Sequence, residues 1–235
     1  MTKEIKRINN LLLKYFGVPP KSKKLPDPVD MLIATILSQN TNDSNSYKAY
    51  NNLKKHYPDW NMLLNVRLSS IEKEIRVAGL GKQKSKAIKN FITRLFKKTN
   101  KLSLKHLSSL NNIEAINELT NYEGIGVKTA SCVLLFAMDR DICPVDTHVH
   151  RTLNRIGLVK TSAPDKTFYE LNKEFPKKIA HSFHTNLIRL GREICKPQKP
   201  NCIVCPIVNT CKYENKNYSE SEYPVEKSFM LLDNV

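Results

Sequence analysis

Long apolar runs are missing from this chain of 235 residues: the longest uncharged ones, Met31 to Leu37 and Cys132 to Met138, fall far short of the ~20 residues that a membrane span needs. The first residues, MTKEIKRINN, contain Glu4 and lack a hydrophobic signal region. A soluble, intracellular chain is therefore expected, in a compartment reducing enough to tolerate free thiols. Stretches of alternating strand residues are absent as well, which argues against a β fold. Acidic residues are few: Asp+Glu 22 against Lys+Arg 38 leave a formal charge of +16 and a pI near 9.6. That imbalance is a nucleic-acid signature, although charge alone would equally suit RNA, DNA or an acidic membrane surface. Glycine is scarce as well. Only seven occur, and four of them fall in two similar turns 45 residues apart, Gly79-Leu80-Gly81 and Gly124-Ile125-Gly126.

What remains is helical periodicity almost throughout. Ile5, Ile8, Leu12, Tyr15 and Phe16 make one face of an N-terminal helix, and the proline- and lysine-rich stretch 17–26 breaks it. Asp27 reads as an N-cap with Pro28 at the first helical position. The next helix is expected to start at Asp43 or Ser44, with Tyr47, Tyr50, Leu53 and Tyr57 on one side, and Ser69 with Glu72 has capping-box spacing. Further apolar faces run through Ala87 to Leu95, Ile113 to Leu119, Phe168 to Phe175 and Ile179 to Ile194. The fold class is all-α.

The stretch from Tyr122 to His150 carries the chemistry. Gly124 and Gly126 flank Ile125, where residues without a β-carbon take φ > 0 at little cost and let a ligand approach the backbone closely. An apolar helix follows, opening with Lys128. Such a turn points backbone N–H groups outward and suits a phosphate. Asp146 stands eighteen positions after Lys128, within Pro144-Val145-Asp146-Thr147-His148. A helix of about 11 residues is only ~16 Å long, so a chain that turns back after Met138 can return Asp146 towards Lys128. Asp146 or Thr147 also reads as the cap of a helix from His148 to Ile156 that Gly157 ends. The earlier turn places Lys82, Lys84 and Lys86 beside Gly81, as a second phosphate contact or a plain solvated loop.

Four of the six cysteines, Cys195, Cys202, Cys205 and Cys211, crowd into 17 residues with intervals of six, two and five. Such clustering reads as metal ligation rather than a disulfide framework. Four thiolates select zinc or an iron-sulfur cluster. Structural zinc usually takes two close pairs separated by a longer loop, and one compact run of four wraps a single cube. Cys132 reads as core, and Cys143 has no evident partner.

Gly124 to Lys128-Thr129-Ala130, Val145 to His148 and the four cysteines together resemble the helix-hairpin-helix DNA glycosylases, and within them the endonuclease III family. The resemblance covers roughly the first 213 residues. It implies two helical lobes with a DNA-binding cleft between them. One is a six-helix barrel with the helix-hairpin-helix over 27–140, and the other is an iron-sulfur lobe made of 1–26 plus 141–213, with 214–235 left as a flexible tail. It implies a [4Fe-4S] cluster on Cys195, Cys202, Cys205 and Cys211. Asn40, with Gln39 beside it, and Leu80 match the positions that enter the DNA. Tyr122-Glu123 departs from the usual Leu-Pro and puts a negative charge near the expected phosphate. Lys196 and Lys199, in the proline-stiffened loop KPQKPN, are further phosphate candidates, alongside Gly81, Lys82, Lys84, Gly124 and Gly126.

The implied partner is double-stranded DNA carrying a damaged base or an abasic site, met by a monomer in the cytoplasm, at the nucleoid. A flipped nucleotide would be attacked at C1′ by Lys128 as the neutral amine, with the Asp146 carboxylate supporting the developing positive charge. A lysine at this position implies a bifunctional glycosylase and abasic-site lyase for oxidised pyrimidines. Two alternatives stay open: a glycosylase of the same superfamily for mismatched or alkylated bases, and a non-enzymatic iron-sulfur DNA-binding protein.

Overall fold

The computed structural model describes residues 1–219 and contains ten α-helices and no strand among them. The residues beyond 219, and with them most of the expected tail, lie outside the described residues. The helices are α1 (Thr2–Phe16), α2 (Pro28–Leu37), α3 (Asp43–His56), α4 (Leu68–Ile75), α5 (Gly81–Thr99), α6 (Asn112–Thr120), α7 (Val127–Met138), α8 (Thr147–Ile156), α9 (Pro164–Asn172) and α10 (Ala180–Arg189). Among the described residues they gather into two compact units, one of Ser22–Asp139 and the other of Met1–Lys21 together with 140–219. None of these helices is long and apolar enough to cross a membrane.

In the unit of residues 22–139, α2 is the central helix. Asp27 caps it, its carboxylate accepting from Val29 N at 2.8 Å, with Pro28 opening the first turn. Every residue from Met31 to Leu37 is buried, and each large apolar side chain so removed from water contributes roughly 1.5–3 kcal/mol. Its main packing partner is α7, also apolar on all sides from Ala130 to Ala137. Helix α3 starts at Asp43, the first of the two expected positions, and Asn42 caps it, its side chain accepting from Asn45 N at 2.8 Å. Tyr47 consequently points outward, and Ser46, Ala49, Tyr50 and Leu53 form the buried face. The capping box at Ser69 does not form. Leu68 is already helical, so Ser69 lies inside the first turn and Arg67 is the extended residue before it.

In the other unit α1 buries Ile5, Ile8 and Leu12 against α10. Arg189 of α10 donates to Phe16 O at 3.1 Å and lies over the Phe16 ring, and Asn186 donates to Gly17 O at 3.1 Å. These bonds satisfy carbonyls that the end of α1 leaves open. Phe175 lies beyond the end of α9 but still packs on Phe183, with ring centroids 5.7 Å apart. The apolar face expected to run from Ile179 to Ile194 is helical in two parts, because a π-helical turn, Leu190–Ile194, succeeds α10 directly before Cys195.

Candidate functional site

The hairpin between α6 and α7 is built on a close approach to α5. Asn111 and Glu114 form a reciprocal capping box at the start of α6. After it, Tyr122 is buried with its ring edge-on to Phe91 at 5.2 Å. Gly124 has φ +83, and a β-carbon there would meet Ala87 Cβ at 2.7 Å, so both conformation and packing require glycine. Gly126 differs. Its φ is −94, and a β-carbon would meet nothing within 4 Å. Exposed itself, it caps α7 without any side-chain bond, so the first-turn N–H groups receive no acceptor from the cap residue, as an anion site requires. Glu123 is exposed and committed sideways: it accepts from Lys86 at 2.7 Å and Asn90 at 2.9 Å on α5, and the Lys86 hydrogen bond holds its carboxyl below the usual range. Lys128, half-buried in the first turn of α7, has no hydrogen-bonding partner for its ammonium within residues 22–139.

Two further turns of this unit carry the expected DNA-entering residues. Gln39 donates to Gly124 O at 3.1 Å and to Thr129 Oγ1 at 3.2 Å, so its side chain ties the end of α2 to the hairpin. Asn40 is exposed with φ 50. Leu80 has the same φ of 50 and stays 48% exposed, a large apolar side chain standing in solvent at the start of α5. Lys82 beside it is exposed. Lys84 is not the phosphate contact expected of it. It is buried, and Nζ donates to Leu37 O and Ala78 O, each at 2.8 Å. At three residues into α5 its side chain is turned inward by the helical phase, and burial lowers its pKa to about 8.

In the other unit Asp146 is the N-cap of α8, accepting from Val149 N at 2.8 Å, and Gly157 ends the helix with φ 83. The Asp146 side chain remains half-buried. Two arginines of the same helix, unremarked in the sequence, organise the cysteine segment. Arg151 donates to Gly191 O at 2.8 Å and to Cys195 O at 3.0 Å. Arg155 donates to Lys196 O at 2.7 Å, to Pro197 O at 2.8 Å and to Cys195 Sγ at 3.4 Å, and lies over the Tyr213 ring. Their spacing of four residues, one helical turn, was the available signal. Lys196 and Lys199 are thereby held exposed, Lys199 with φ 47.

Cys195, Cys202, Cys205 and Cys211 all line one pocket, together with apolar Leu190, Ile194 and Ile207. Burial pushes the Cys205 thiol up to about 12 and raises Cys211 as well. Both are therefore neutral unless a bound metal supplies positive charge. Among the described residues no three side chains converge closely enough to hold a single metal ion. Four thiols spread around an apolar pocket fit a group several ångströms across that takes one thiolate at each corner.

Residues 33–177, more than half of the chain, match the family model of the HhH-GPD superfamily of base excision DNA repair proteins. The chain belongs to this superfamily. Endonuclease III of Thermotoga maritima is 34% identical over 194 residues, 83% of this chain and 87% of the relative. An Arabidopsis thaliana protein named provisionally as a DNA glycosylase is 38% identical over 174 residues, which span 74% of this chain and 59% of the plant protein's length. The structure of a trapped covalent intermediate of endonuclease III with DNA, containing an estranged adenine, superposes with a TM-score of 0.74 at 27% identity, covering 90% of this chain and 96% of that one. The superfamily match runs across both units, from α2 in one to the segment after α9 in the other.

Proposed function

We propose that this superfamily member is a bifunctional DNA glycosylase and abasic-site lyase that removes oxidised pyrimidines from double-stranded DNA. The observation that carries the reading is the hairpin itself: a helix N-terminus at exposed Gly126 that receives no acceptor from the cap residue, with Lys128 in its first turn. The open N–H groups bind a backbone phosphate of the damaged strand. Lys128 Nζ, as the neutral amine, forms a bond to the sugar C1′ while the bond from C1′ to the base breaks and the base leaves with the electron pair. The Asp146 carboxylate offsets the positive charge that develops on the sugar and assists the proton transfers. The sugar ring then opens, the C1′–O4′ bond breaking as O4′ takes a proton, to give a Schiff base on Lys128, and removal of a C2′ proton expels the 3′ phosphate by β-elimination. Asn40 and Leu80 fill the space that the extruded nucleotide vacates.

Cys195, Cys202, Cys205 and Cys211 hold a [4Fe-4S] cluster in this reading, which crosslinks the segment bearing Lys196 and Lys199 and contributes that loop to phosphate binding. The chain acts in the cytoplasm at the nucleoid, as a monomer with one damaged duplex.

Borohydride trapping on duplexes with thymine glycol, 5-hydroxycytosine, uracil or a plain abasic site tests the reading. A covalent adduct on oxidised pyrimidines is expected. An adduct on uracil alone would move the assignment to mismatch repair, and no adduct from folded protein would sink the lysine mechanism. Asp146→Asn separates capping from chemistry. Asn and Asp cap helices equally well, so the melting temperature is expected to hold while base excision falls about 10²- to 10⁴-fold.

A further inference from the structure

Lys84 is a buried cation that the chemistry of Lys128 leaves unused. Its backbone N donates to Leu80 O at 3.0 Å, closing the first turn of α5 over the Leu80 position. Its side chain runs inward, and the two 2.8 Å bonds from Nζ end on carbonyls from separate parts of the chain. Leu37 is the last residue of α2, and Ala78 is the last residue of the short 3₁₀ turn Arg76–Ala78. Each is an end carbonyl with no partner inside its own helix, and burial would leave it unpaired without a donor. A cation is also the favoured group at such C-termini.

Those two carbonyls lie just before the two exposed, left-handed, non-glycine positions of this region. Asn40 follows Leu37 by three residues, Leu80 follows Ala78 by two, and both have φ 50. Asparagine tolerates this conformation, but leucine does not adopt it freely, so at Leu80 the surroundings must hold it. Part of that hold passes through one nitrogen atom. We infer that Lys84 is a positioning residue that sets the Asn40 and Leu80 turns in register, so that both side chains enter a lesion-bearing duplex together. The inference rests on the glycosylase reading above and deepens it. It also separates two tasks. Gln39 ties the end of α2 to the hairpin that bears Lys128, and Lys84 ties the same end to the turn that bears Leu80.

The test uses the full chain with Lys84→Met and with Lys84→Gln, which keeps an N–H donor if the apolar variant folds poorly. Two duplexes are compared, one with thymine glycol, which must be extruded, and one with a preformed abasic site, which needs little extrusion. Excision of thymine glycol is expected to fall about ten- to hundredfold, because small misplacements at a distance carry effects of that size. Trapping at the abasic site is expected to fall no more than about threefold. In an Asn40→Ala/Leu80→Ala background, Lys84→Gln should add less than about twofold, because residues acting through one another are not additive. Equal losses on both duplexes, or losses that multiply in the triple variant, would overturn the inference in favour of a general structural role. Fluorescence of 2-aminopurine placed opposite the lesion gives a readout independent of catalysis. If the wild-type protein neither excises nor traps, the glycosylase reading fails and this signal decides alone: a wild-type rise that Lys84→Gln abolishes keeps the inference, and an equal rise or none overturns it.

Discussion

The turns Gly79-Leu80-Gly81 and Gly124-Ile125-Gly126 have almost the same spelling, and both open a helix with lysines in its first turns. Their roles are inverted. Leu80 is 48% exposed in a left-handed conformation, and Ile125 is 4% exposed, packed inside the hairpin. Of the lysines that follow the first turn, Lys82 is exposed and Lys84 is buried on two carbonyls, and Lys128 after the second has no such partner within its unit. One turn offers its apolar residue and seals one of its cations; the other hides its apolar residue and offers its cation. The difference arises from helical phase. Lys84 is the fourth residue of α5 and Lys128 the second of α7, and two residues turn a helical side chain by about 200°.

Exchanging the lysines' fates would break the comparison most visibly. Lys128→Gln is expected to reduce Schiff-base trapping by about 10³-fold or more, with stability changed by less than about 0.5 kcal/mol, as for a side chain without buried partners. A large fall in melting temperature would show Lys128 to be structural. The apolar residues should behave in the opposite sense. Ile125→Ala is expected to cost about 2–5 kcal/mol of stability in denaturant unfolding, and Leu80→Ala to stay within about 0.5 kcal/mol while weakening excision. Equal destabilisation by the two would erase the contrast.

The glycines sharpen it further. Gly124→Ala must accommodate φ +83 and a 2.7 Å contact with Ala87, at a cost of about 1–3 kcal/mol. Gly126→Ala is expected to be near neutral in stability and to weaken duplex binding by placing a methyl group at the proposed phosphate site. The smallest effect concerns pH. Burial lowers Lys84 to about 8, below the value near 10.4 of a solvated lysine. The unfolded chain therefore binds more protons between those values, and wild-type stability relative to Lys84→Gln should rise as pH increases from about 8 to about 10. A difference that stays flat over that range would mean that the ammonium is not desolvated.

Much of the local architecture was legible from residue type. Asp27 before Pro28, Asp146 two residues before a helical His148, and Gly157 at a helix end all form the caps they spell, because capping depends on neighbours within a few residues. One boundary differs: Ser69 lies inside α4 and caps nothing, because Leu68 is already helical and the packing of Ile71 and Ile75 fixes where that helix runs. The inward path of Lys84 could not be read, because its acceptors lie 47 and 6 residues away. The bracing of Cys195 by Arg151 and Arg155 was hidden for the same reason, with partners 40 or more residues on.

By itself the sequence determined that this is a helical, basic chain with a glycine hairpin, a lysine and an aspartate in fixed spacing, and four cysteines in one short run. Those properties reside in periodicity, composition and short-range order. Tertiary structure decided which lysine is offered and which is sealed, which of Gln39 and Asn40 stays exposed, and which arginines hold the cysteine segment. Each of those choices depends on backbone carbonyls brought close by packing, and such carbonyls have the same chemistry at every position until the fold buries some of them.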